Sequence, residues 1–214
     1  MKSCIVGDSR LVTPVLRQLH TDNVVVTEIS GLLLREEATY LVDSTRAQLR
    51  PSTVARTSAP ATIDVNRSSR TAFVDRSDPV VDCLEDRMAT IAGLARTHME
   101  PMQVTDYTNK QEYKPHYDYF DRAGESDRTT TLFAYLQEYK CGEECGGATV
   151  FPRLQQASGK PLRVYPTVGN AVMWSNRTHT GGVNPHTLHS GEALRCADSH
   201  KVGLNVWFRD EKWK

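Results

Sequence analysis

The second half of the chain consists of short β-prone segments that are separated by glycine, proline and asparagine. Short strands at such close spacing fold into a sandwich or barrel that is made of two sheets. Before Glu100 the pattern differs, because apolar residues recur there at helical spacing. We therefore predict a β-rich core over residues 101–214. The six predicted strands are Gln103–Thr108, Thr129–Tyr139, Ala148–Phe151, Leu162–Tyr165, Ala171–Ser175 and Val202–Phe208.

The first hundred residues contain two predicted helices. The first covers Glu36–Leu49, where apolar residues share one face, and Pro51 follows it as a stop. The second runs over residues 80–96, with Asp78 as its N-cap and Pro79 in its first turn. These helices are expected to support the β core. The fold class is therefore α+β, and we predict one domain over residues 1–214.

Residues 50–79 are rich in serine, threonine, arginine and proline and have no strong period. Within them, Thr71–Val74 is the best candidate strand, and Val24–Val26 is a further one near the amino terminus. The stretch is expected to form either an ordered wall or a lid that closes on a ligand.

The charge of the chain limits the classes of partner. Lys plus Arg and Asp plus Glu both number 26, so the net charge is zero, and we expect no nucleic-acid partner. No apolar run is long enough for a membrane span. Asp8, Arg10 and Arg17 interrupt any apolar core of a signal peptide. We expect a cytoplasmic protein if the chain is complete, and an ER-lumenal or secreted one if a leader has been removed. The oligomeric state is left open.

The tripeptide His116-Tyr117-Asp118 is the most suggestive local motif. In an extended chain, residues i and i+2 point to the same side, so His116 and Asp118 would face one spot. A third ligand from a distant strand would complete a set of two histidines and one carboxylate, which is typical of non-haem Fe(II) oxygenases. By itself, the tripeptide is a weak signal that is more typical of a polar surface pair.

Further motifs follow in order along the chain. Tyr107 precedes the His-x-Asp motif, and Arg128 is followed by Thr131 and Tyr135-Leu136. The later motifs are Gly146–Pro152, Tyr165–Val172, Thr187–Gly191 and Lys201–Phe208. In this order they resemble the prolyl 4-hydroxylase branch of the 2-oxoglutarate/Fe(II) dioxygenases, from about Ile29 to Arg209. The resemblance implies a double-stranded β-helix core, which is a jelly-roll or cupin-like fold, with supporting N-terminal helices.

The resemblance also implies roles for individual residues. His116, Asp118 and His189 would bind the metal, and Lys201 would pair with the far carboxylate of 2-oxoglutarate. The positions that help to hold this cosubstrate through hydroxyl groups are Tyr107 and Thr149. The positions near the peptide groove are Glu100, Tyr113, Arg128 and Trp207.

The implied reaction is the hydroxylation of peptidyl proline at C4, with succinate and CO2 as coproducts. Fe(II), 2-oxoglutarate and O2 are the implied cofactors, with ascorbate as a reductant. The implied partner is a peptide or protein that contains proline. Two alternatives remain open: an oxygenase for a lysyl or other side chain, a free amino acid or a nucleobase, and a binding module without turnover. Because His116, Asp118, His189 and Lys201 are all present, the binding module is disfavoured.

The sequence departs from the family pattern in two segments. Twelve positions separate His189 from Lys201, which is longer than usual, and this makes His186 a competing ligand. The turn over residues 140–145 is also longer than usual. The two segments carry Cys141, Cys145, Cys196 and His200, whose spacing fits a structural zinc, a disulfide or free thiols.

Overall fold

The computed structural model describes residues 1–20, 24–54, 62–63, 67–122 and 124–213. Its two α-helices are α1 (Arg35–Thr45) and α2 (Pro79–Ala92). Its strands are β1 (Val15–His20), β2 (Val26–Ser30), β3 (Arg50–Pro51), β4 (Thr53–Val54), β5 (Thr62–Ile63), β6 (Arg70–Phe73), β7 (Gln103–Thr108), β8 (Tyr113–His116), β9 (Arg128–Tyr139), β10 (Thr149–Gln155), β11 (Pro161–Val164), β12 (Ala171–Ser175), β13 (His189–Gly191) and β14 (His200–Arg209). Short 3-10 helices cover residues 46–48, 96–98 and 185–187.

The strands form one large and one small antiparallel sheet. The eight-stranded sheet has the order β1-β2-β12-β9-β14-β7-β6-β3, and the four-stranded sheet has the order β11-β10-β13-β8. A separate two-stranded ladder joins β4 to β5. The crossovers between strands that are distant in sequence give the double-stranded β-helix core that the family resemblance implies. The fold class is therefore confirmed.

Each central strand of the large sheet divides its side chains between two cores. Along β9, Leu132, Ala134 and Leu136 pack on the helix side, whereas Phe133 and Tyr135 pack toward the small sheet. This alternation is the period of two that an antiparallel strand imposes. On β14, Val202, Leu204, Val206 and Phe208 face the helices in the same way. The alternate positions of β14 are thereby left to face the small sheet.

The helices end where backbone chemistry requires. Asp78 caps α2 by accepting hydrogen bonds from the backbone N–H groups of Val80 and Val81, as predicted. The predicted extension of this helix to residue 96 is wrong, because Gly93 adopts φ 66° and closes the helix with bonds to Ala89 and Thr90. The first helix is α-helical only to Thr45 and then tightens into a 3-10 turn.

The predicted strands are all present, and most of them have shifted ends. Those over Gln103–Thr108 and Ala171–Ser175 coincide with β7 and β12. The Val24–Val26 strand instead begins at Val26. The prediction did not include β1 and β8, and it gave β13 only as the strand that carries His189. A strand of three or four residues, or one with an exposed face, carries little periodic signal.

The stretch over residues 50–79 contributes β3 and β6 to one edge of the large sheet. In this part, the stretch forms the ordered wall, which was one of the two expected structures. Residues 55–61 and 64–66, on which the expectation of a lid also depends, lie outside the described residues. Among the described helices, none has the length and apolar character needed to cross a membrane.

The zinc interpretation of the cysteines is wrong. Cys145 and Cys196 form a disulfide, and a second disulfide joins Cys4 to Cys83. Cys141 is a free thiol. His200 faces elsewhere, with its Nε2 2.6 Å from a carboxylate oxygen of Asp106. The Cys145–Cys196 disulfide joins the two segments that are longer than usual in the family.

Candidate active site

A cavity of about 400 Å³ lies between the two sheets. The small sheet lines it with residues of β8, β10 and β13, and the large sheet lines it with residues of β7, β9 and β14. All ten sequence-predicted site residues line this one cavity: Glu100, Tyr107, Tyr113, His116, Asp118, Arg128, Thr149, His189, Lys201 and Trp207. The topology therefore brings together residues that are a hundred positions apart in the chain.

His116, Asp118 and His189 converge on the lining of the cavity. Their potential ligand atoms all lie within 4.8 Å of one another. Nε2 of His116 is 3.7 Å from one oxygen of Asp118, and Nε2 of His189 is 3.6 Å from the other. The first and third residues of this triad meet because β8 and β13 pair with His116 opposite His189. Asp118 follows β8 in a bend rather than in an extended strand, so the predicted i, i+2 geometry holds only in part.

Backbone carbonyl groups set the orientation of both imidazoles. Nδ1 of His116 is 2.8 Å from the carbonyl oxygen of Lys114, and Nδ1 of His189 is 2.9 Å from that of Thr187. A carbonyl oxygen can only accept, so Nδ1 carries the proton in each ring and Nε2 presents a lone pair. Both Nε2 atoms face Asp118. This arrangement of outer hydrogen bonds is the one that orients histidine ligands at metal sites.

A chain of buried hydrogen bonds holds the carboxylate. Thr131 Oγ1 donates to Asp118 Oδ2 over 2.8 Å, and Asn176 Nδ2 donates to Thr131 Oγ1 over 3.0 Å. The indole Nε1 of Trp174 then donates to Asn176 Oδ1 over 3.0 Å. All four side chains are buried. Sequence reasoning missed Asn176 and Trp174, since no local pattern links them to a carboxylate almost sixty positions away.

The protonation states of the triad suit a cation. Burial, together with the neighbouring His189, lowers the pKa of His116 to about 3, so its ring is neutral at pH 7. Burial would raise the pKa of Asp118, but His189, His116, Arg128 and the Thr131 hydroxyl outweigh it and lower the pKa to about 2. Two imidazoles and one carboxylate that meet in a cavity form the facial donor set of non-haem Fe(II). The donor set therefore fits that metal.

Lys201 closes the inner end of the cavity. Its side chain is fully buried, and Nζ donates to the carbonyl oxygen of Gly147 over 2.8 Å. Burial lowers the pKa of Lys201 to about 8, only partly offset by Cys141 and Glu192. Among the described residues, no carboxylate forms an ion pair with this ammonium group. A buried ammonium that lacks a carboxylate calls for an anionic ligand.

Hydroxyl groups and an aromatic ring surround the same end. Tyr107 is buried, and Nζ of Lys201 lies 5.0 Å from its ring centre. The Thr149 hydroxyl lies 2.9 Å from that of Tyr135. Gly203 is required here, because a Cβ at this position would approach the ring of Phe133 to 2.1 Å. The Phe133 ring can lie beside Lys201 only because residue 203 is a glycine, which leaves room for the ring.

Arginine and aromatic side chains form the mouth of the cavity. Arg128 makes a bidentate pair with Glu100, with both N–O distances at 2.8 Å, and Arg209 donates to the same carboxylate over 2.7 Å. The guanidinium carbon of Arg128 lies 3.7 Å from the ring centre of Trp207 and 5.0 Å from that of Phe120. Planar stacking of this kind fixes a guanidinium in place.

Tyr113 and Arg67 form the wall beside the first histidine. The Tyr113 ring stacks on His116 with a centroid distance of 3.5 Å, and burial raises the pKa of Tyr113 to about 12. The guanidinium carbon of Arg67 lies 5.0 Å from the centre of the Tyr113 ring. Arg67 also donates to the side-chain oxygen of Gln103 over 3.0 Å. Arg67, Phe120 and Arg209 were not predicted, because their neighbours come from other strands and loops.

The remaining histidines are not part of the triad. His186, which the spacing allowed as a competing ligand, lies in the 3-10 turn before β13 and is not part of the cluster of His116, Asp118 and His189. His98 contacts the carbonyl oxygen of Arg209 with its Nδ1, as a residue near a helix end. His179 lies in a turn with its side chain exposed. Among the described residues, His116, Asp118 and His189 are the one cluster that could hold a metal ion.

The fold and this site together define a class of protein. The pattern of the 2OG-Fe(II) oxygenase superfamily matches residues 102–209, and the chain belongs to that superfamily. Within it, the chain belongs with the prolyl 4-hydroxylases. Prolyl 4-hydroxylase 1 of Arabidopsis thaliana is 32% identical over 200 residues, which cover 86% of this chain and 68% of that protein.

Solved structures show the same fold. A viral collagen prolyl hydroxylase from Paramecium bursaria Chlorella virus-1, in complex with 2-oxoglutarate, superposes with a TM-score of 0.66 at 23% identity. The alignment covers 86% of this chain and 95% of that one. A Trichoplax adhaerens prolyl hydroxylase, in complex with a peptide fragment of hypoxia inducible factor, has a TM-score of 0.64 at 15% identity. Here, 86% of this chain and 83% of that one are covered.

Proposed function

We propose that this protein hydroxylates peptidyl proline at C4, with 2-oxoglutarate and O2 as cosubstrates and succinate and CO2 as coproducts. The observation that carries the proposal is the presence of the His116–Asp118–His189 triad and the buried ammonium of Lys201 in one cavity. The prolyl 4-hydroxylases among its relatives support the choice of proline. The viral structure that shares its fold was solved with 2-oxoglutarate.

The triad would hold Fe(II) through two Nε2 atoms and one carboxylate oxygen. When bound together with 2-oxoglutarate and O2, iron supplies the oxidative chemistry of the reaction. The protein contributes a fixed donor geometry, through the carbonyl groups of Lys114 and Thr187 and the hydroxyl group of Thr131. The rings of Trp174 and Phe151 lie 4.7 and 5.9 Å from the His189 ring and keep that side dry.

Lys201 would bind the far carboxylate of 2-oxoglutarate. The dianion would relieve the cost of burying an ammonium group, and the bound anion would keep that group charged. Tyr107 and Thr149 would add hydroxyl donors, in the roles that the family resemblance implies for them. With the carboxylate held at the inner end, the 2-oxo acid group would be directed toward the triad on the lining of the cavity.

The mouth would bind the peptide. Arg128 and Arg209 are held rigidly by Glu100, so their remaining N–H groups could donate to peptide carbonyl oxygens. Nε1 of Trp207 is buried and has no hydrogen-bond partner among the described residues, and it would supply a further donor. Tyr113, stacked on His116, would contact the proline ring.

The experiment uses wild-type protein with Fe(II), 2-oxoglutarate and ascorbate, which is included by family resemblance. Poly-proline and Pro-Pro-Gly repeat peptides are the substrates, and the readouts are succinate release and the gain of one oxygen atom on proline. Asp118→Ala is expected to lose metal content and both products while it keeps its secondary structure by circular dichroism. His186→Ala is the matched control and should behave as wild type.

The outcome separates the candidate functions. Oxygen on proline with stoichiometric succinate supports the proposal. Succinate release without modification of either peptide would favour an oxygenase for another side chain, a free amino acid or a nucleobase. Neither product, in a protein that binds iron, would leave only a binding module.

We also propose an oxidising compartment, such as the ER lumen or the extracellular space, as the place of action. The two disulfides support this choice, because such bonds are rare in the reducing cytosol. Thiol titration of protein isolated from its natural source checks it. One free thiol per chain is expected, and five would contradict the proposal.

A further inference from the structure

Asn176 directly follows β12 and is fully buried. Each of its four polar groups makes a hydrogen bond. The backbone N–H donates to the carbonyl oxygen of Thr129 over 2.7 Å, and the backbone carbonyl oxygen accepts from the N–H of Asn184 over 2.9 Å. The side chain donates to Thr131 and accepts from Trp174, each over 3.0 Å. A buried amide with all of these bonds is held in one orientation.

The order of donors along the side-chain path fixes the position of one proton. The indole Nε1–H of Trp174 can only donate, so Asn176 turns Oδ1 toward it and Nδ2 toward Thr131. Because Nδ2 donates to the hydroxyl oxygen of Thr131, the hydroxyl hydrogen is left for Oδ2 of Asp118. Without this amide, the hydroxyl group could rotate away from the carboxylate. Asn176 therefore sets the direction in which Thr131 donates.

The backbone of Asn176 begins the connection that leads to the second histidine of the triad. Its carbonyl oxygen closes a hairpin over residues 176–184 by accepting from Asn184. The carbonyl oxygen of Asn184 then accepts from the N–H of Thr187 over 3.2 Å and from its hydroxyl group over 2.8 Å. The carbonyl oxygen of Thr187 orients His189 through Nδ1, over 2.9 Å. A continuous path of hydrogen bonds thus joins Asn176 to His189.

We propose that Asn176 is a positioning residue that holds Asp118 and His189 in one fixed arrangement, through its side chain and its backbone respectively. The inference rests on the metal-binding part of the proposed function. On the two paths, Asn176 bonds to Thr131 and Asn184 rather than to the ligands themselves. Its effect therefore passes through these two residues. Outer hydrogen bonds that orient metal ligands typically change metal affinity about ten- to hundredfold.

The test measures metal binding in the absence of 2-oxoglutarate and peptide. Titration calorimetry gives the Kd of Mn(II), which accepts the same donor set as Fe(II). The visible absorption spectrum of bound Co(II), recorded at saturation, reports the arrangement of the donor atoms. The variants are Asn176→Leu, Thr131→Val, Thr131→Ser and the double variant Thr131→Val/Asn176→Leu.

Asn170→Leu is the matched control. Asn170 directly precedes β12, as Asn176 directly follows it. Its side-chain oxygen accepts from the backbone N–H of Gly31 over 3.0 Å, so it has a structural hydrogen bond that belongs to neither path. A loss of thermal stability alone would therefore be common to Asn170→Leu and Asn176→Leu.

Asn176→Leu and Thr131→Val are each expected to raise the Kd of Mn(II) about tenfold and to shift the Co(II) spectrum. Thr131→Ser keeps the hydroxyl group and should match wild type. The double variant should also show a rise of about tenfold, because both residues act on Asp118 through one hydroxyl group. Asn170→Leu should leave the Kd and the spectrum unchanged.

A wild-type Kd and spectrum in Asn176→Leu would overturn the inference. The same result in Thr131→Val would overturn it even where Asn176→Leu does not fold. A rise of about a hundredfold in the double variant would also overturn it, because the two residues would then act independently. Each of these results leaves the proposed function standing. If the wild type binds Mn(II) but modifies no proline, the proposed function fails and the inference stands. If it binds no metal, both fail.

Discussion

The inner end of the cavity and its mouth differ in how they are built. At the inner end, Lys201 is buried and donates to Gly147, and a glycine at position 203 lets Phe133 pack against it. The mouth instead holds the half-exposed Trp213 and two arginines that share one carboxylate. A small invariant ligand needs a closed site with one fixed charge, whereas a peptide needs an open surface with several weak contacts.

The loops that support the two ends differ as well. The inner end is bordered by the segments that contain Cys145 and Cys196, and the disulfide between them ties these segments together. Arg195 adds hydrogen bonds to the carbonyl oxygens of Glu143 and Glu144. The mouth depends on Asp127, which accepts hydrogen bonds from the backbone N–H groups of Phe120 and Asp121. Among the described residues, a covalent cross-link thus supports the inner end, whereas hydrogen bonds and ion pairs support the mouth.

The largest difference between effects on the two ends of the cavity is expected from Lys201→Ala. Because the far carboxylate of 2-oxoglutarate would lose its charged partner, KM for 2-oxoglutarate should rise about a hundredfold. KM for peptide, measured at saturating 2-oxoglutarate, should not change. Lys140→Ala removes a half-exposed lysine nearby and is the control. An unchanged KM for 2-oxoglutarate in Lys201→Ala would mean that the cosubstrate binds elsewhere.

The pKa of Lys201, lowered to about 8 by burial, makes the inner end sensitive to alkali. Only the charged ammonium binds a dianion, so the dissociation constant of 2-oxoglutarate should rise about tenfold per pH unit above 8. Titration calorimetry between pH 7 and 9 measures it. The arginines at the mouth stay charged throughout, so KM for peptide should remain flat over this range. If the dissociation constant of 2-oxoglutarate and KM for peptide rise together with pH, the two ends do not differ in their response to pH.

For the protein without ligand, the lowered pKa of Lys201 has the opposite consequence: stability should increase with pH, whereas binding of 2-oxoglutarate should weaken. Its folded pKa is below the unfolded value of 10.5, so the unfolded chain binds more protons between pH 8 and 10.5. The contribution of Lys201 to the free energy of unfolding should therefore rise across this window. Urea unfolding of the wild type and of Lys201→Met isolates this contribution, and the difference between the two proteins should shrink as the pH increases.

Glu100→Gln should affect the mouth alone. Its carboxylate aligns Arg128 and Arg209, and a neutral amide would leave the two guanidinium groups without a shared anion. KM for peptide is expected to rise about fivefold, with KM for 2-oxoglutarate unchanged. Glu125→Gln removes one partner of an exposed ion pair with Arg122 and is the matched control. A rise in both KM values would show that the ends are coupled through the sheet.

The smallest expected effect comes from the disulfides. The double variant Cys145→Ser/Cys196→Ser should raise KM for 2-oxoglutarate about threefold, because the segments beside Lys201 lose their cross-link. Cys4→Ser/Cys83→Ser removes the other disulfide, which joins the amino-terminal segment to α2. Both pairs should lower the midpoint of thermal unfolding. A change in KM for both pairs would point to a general loss of stability.

The sequence predicted the chemistry of the site better than it predicted the geometry of the site. The motifs around His116, Asp118, His189 and Lys201 were recognisable in order, and each of these residues lines the cavity. The cysteines show the opposite case. Their spacing was compatible with zinc, with a disulfide or with free thiols, and only the pairing of Cys145 with Cys196 decided between them.

By itself, the sequence determined the alternation of apolar residues and the capping of α2, because each depends on neighbours in the chain. The ten predicted site residues came from the family resemblance, and all of them line the cavity. Only the tertiary structure decided the contacts between strands. It supports Asp118 through Asn176 and Trp174, and it lets two arginines share Glu100. It also places Phe73 and Trp213 on the lining of one cavity. These contacts join residues that lie far apart in sequence. Local pattern cannot encode them, since strand register and loop path bring such residues together only after the two sheets have packed.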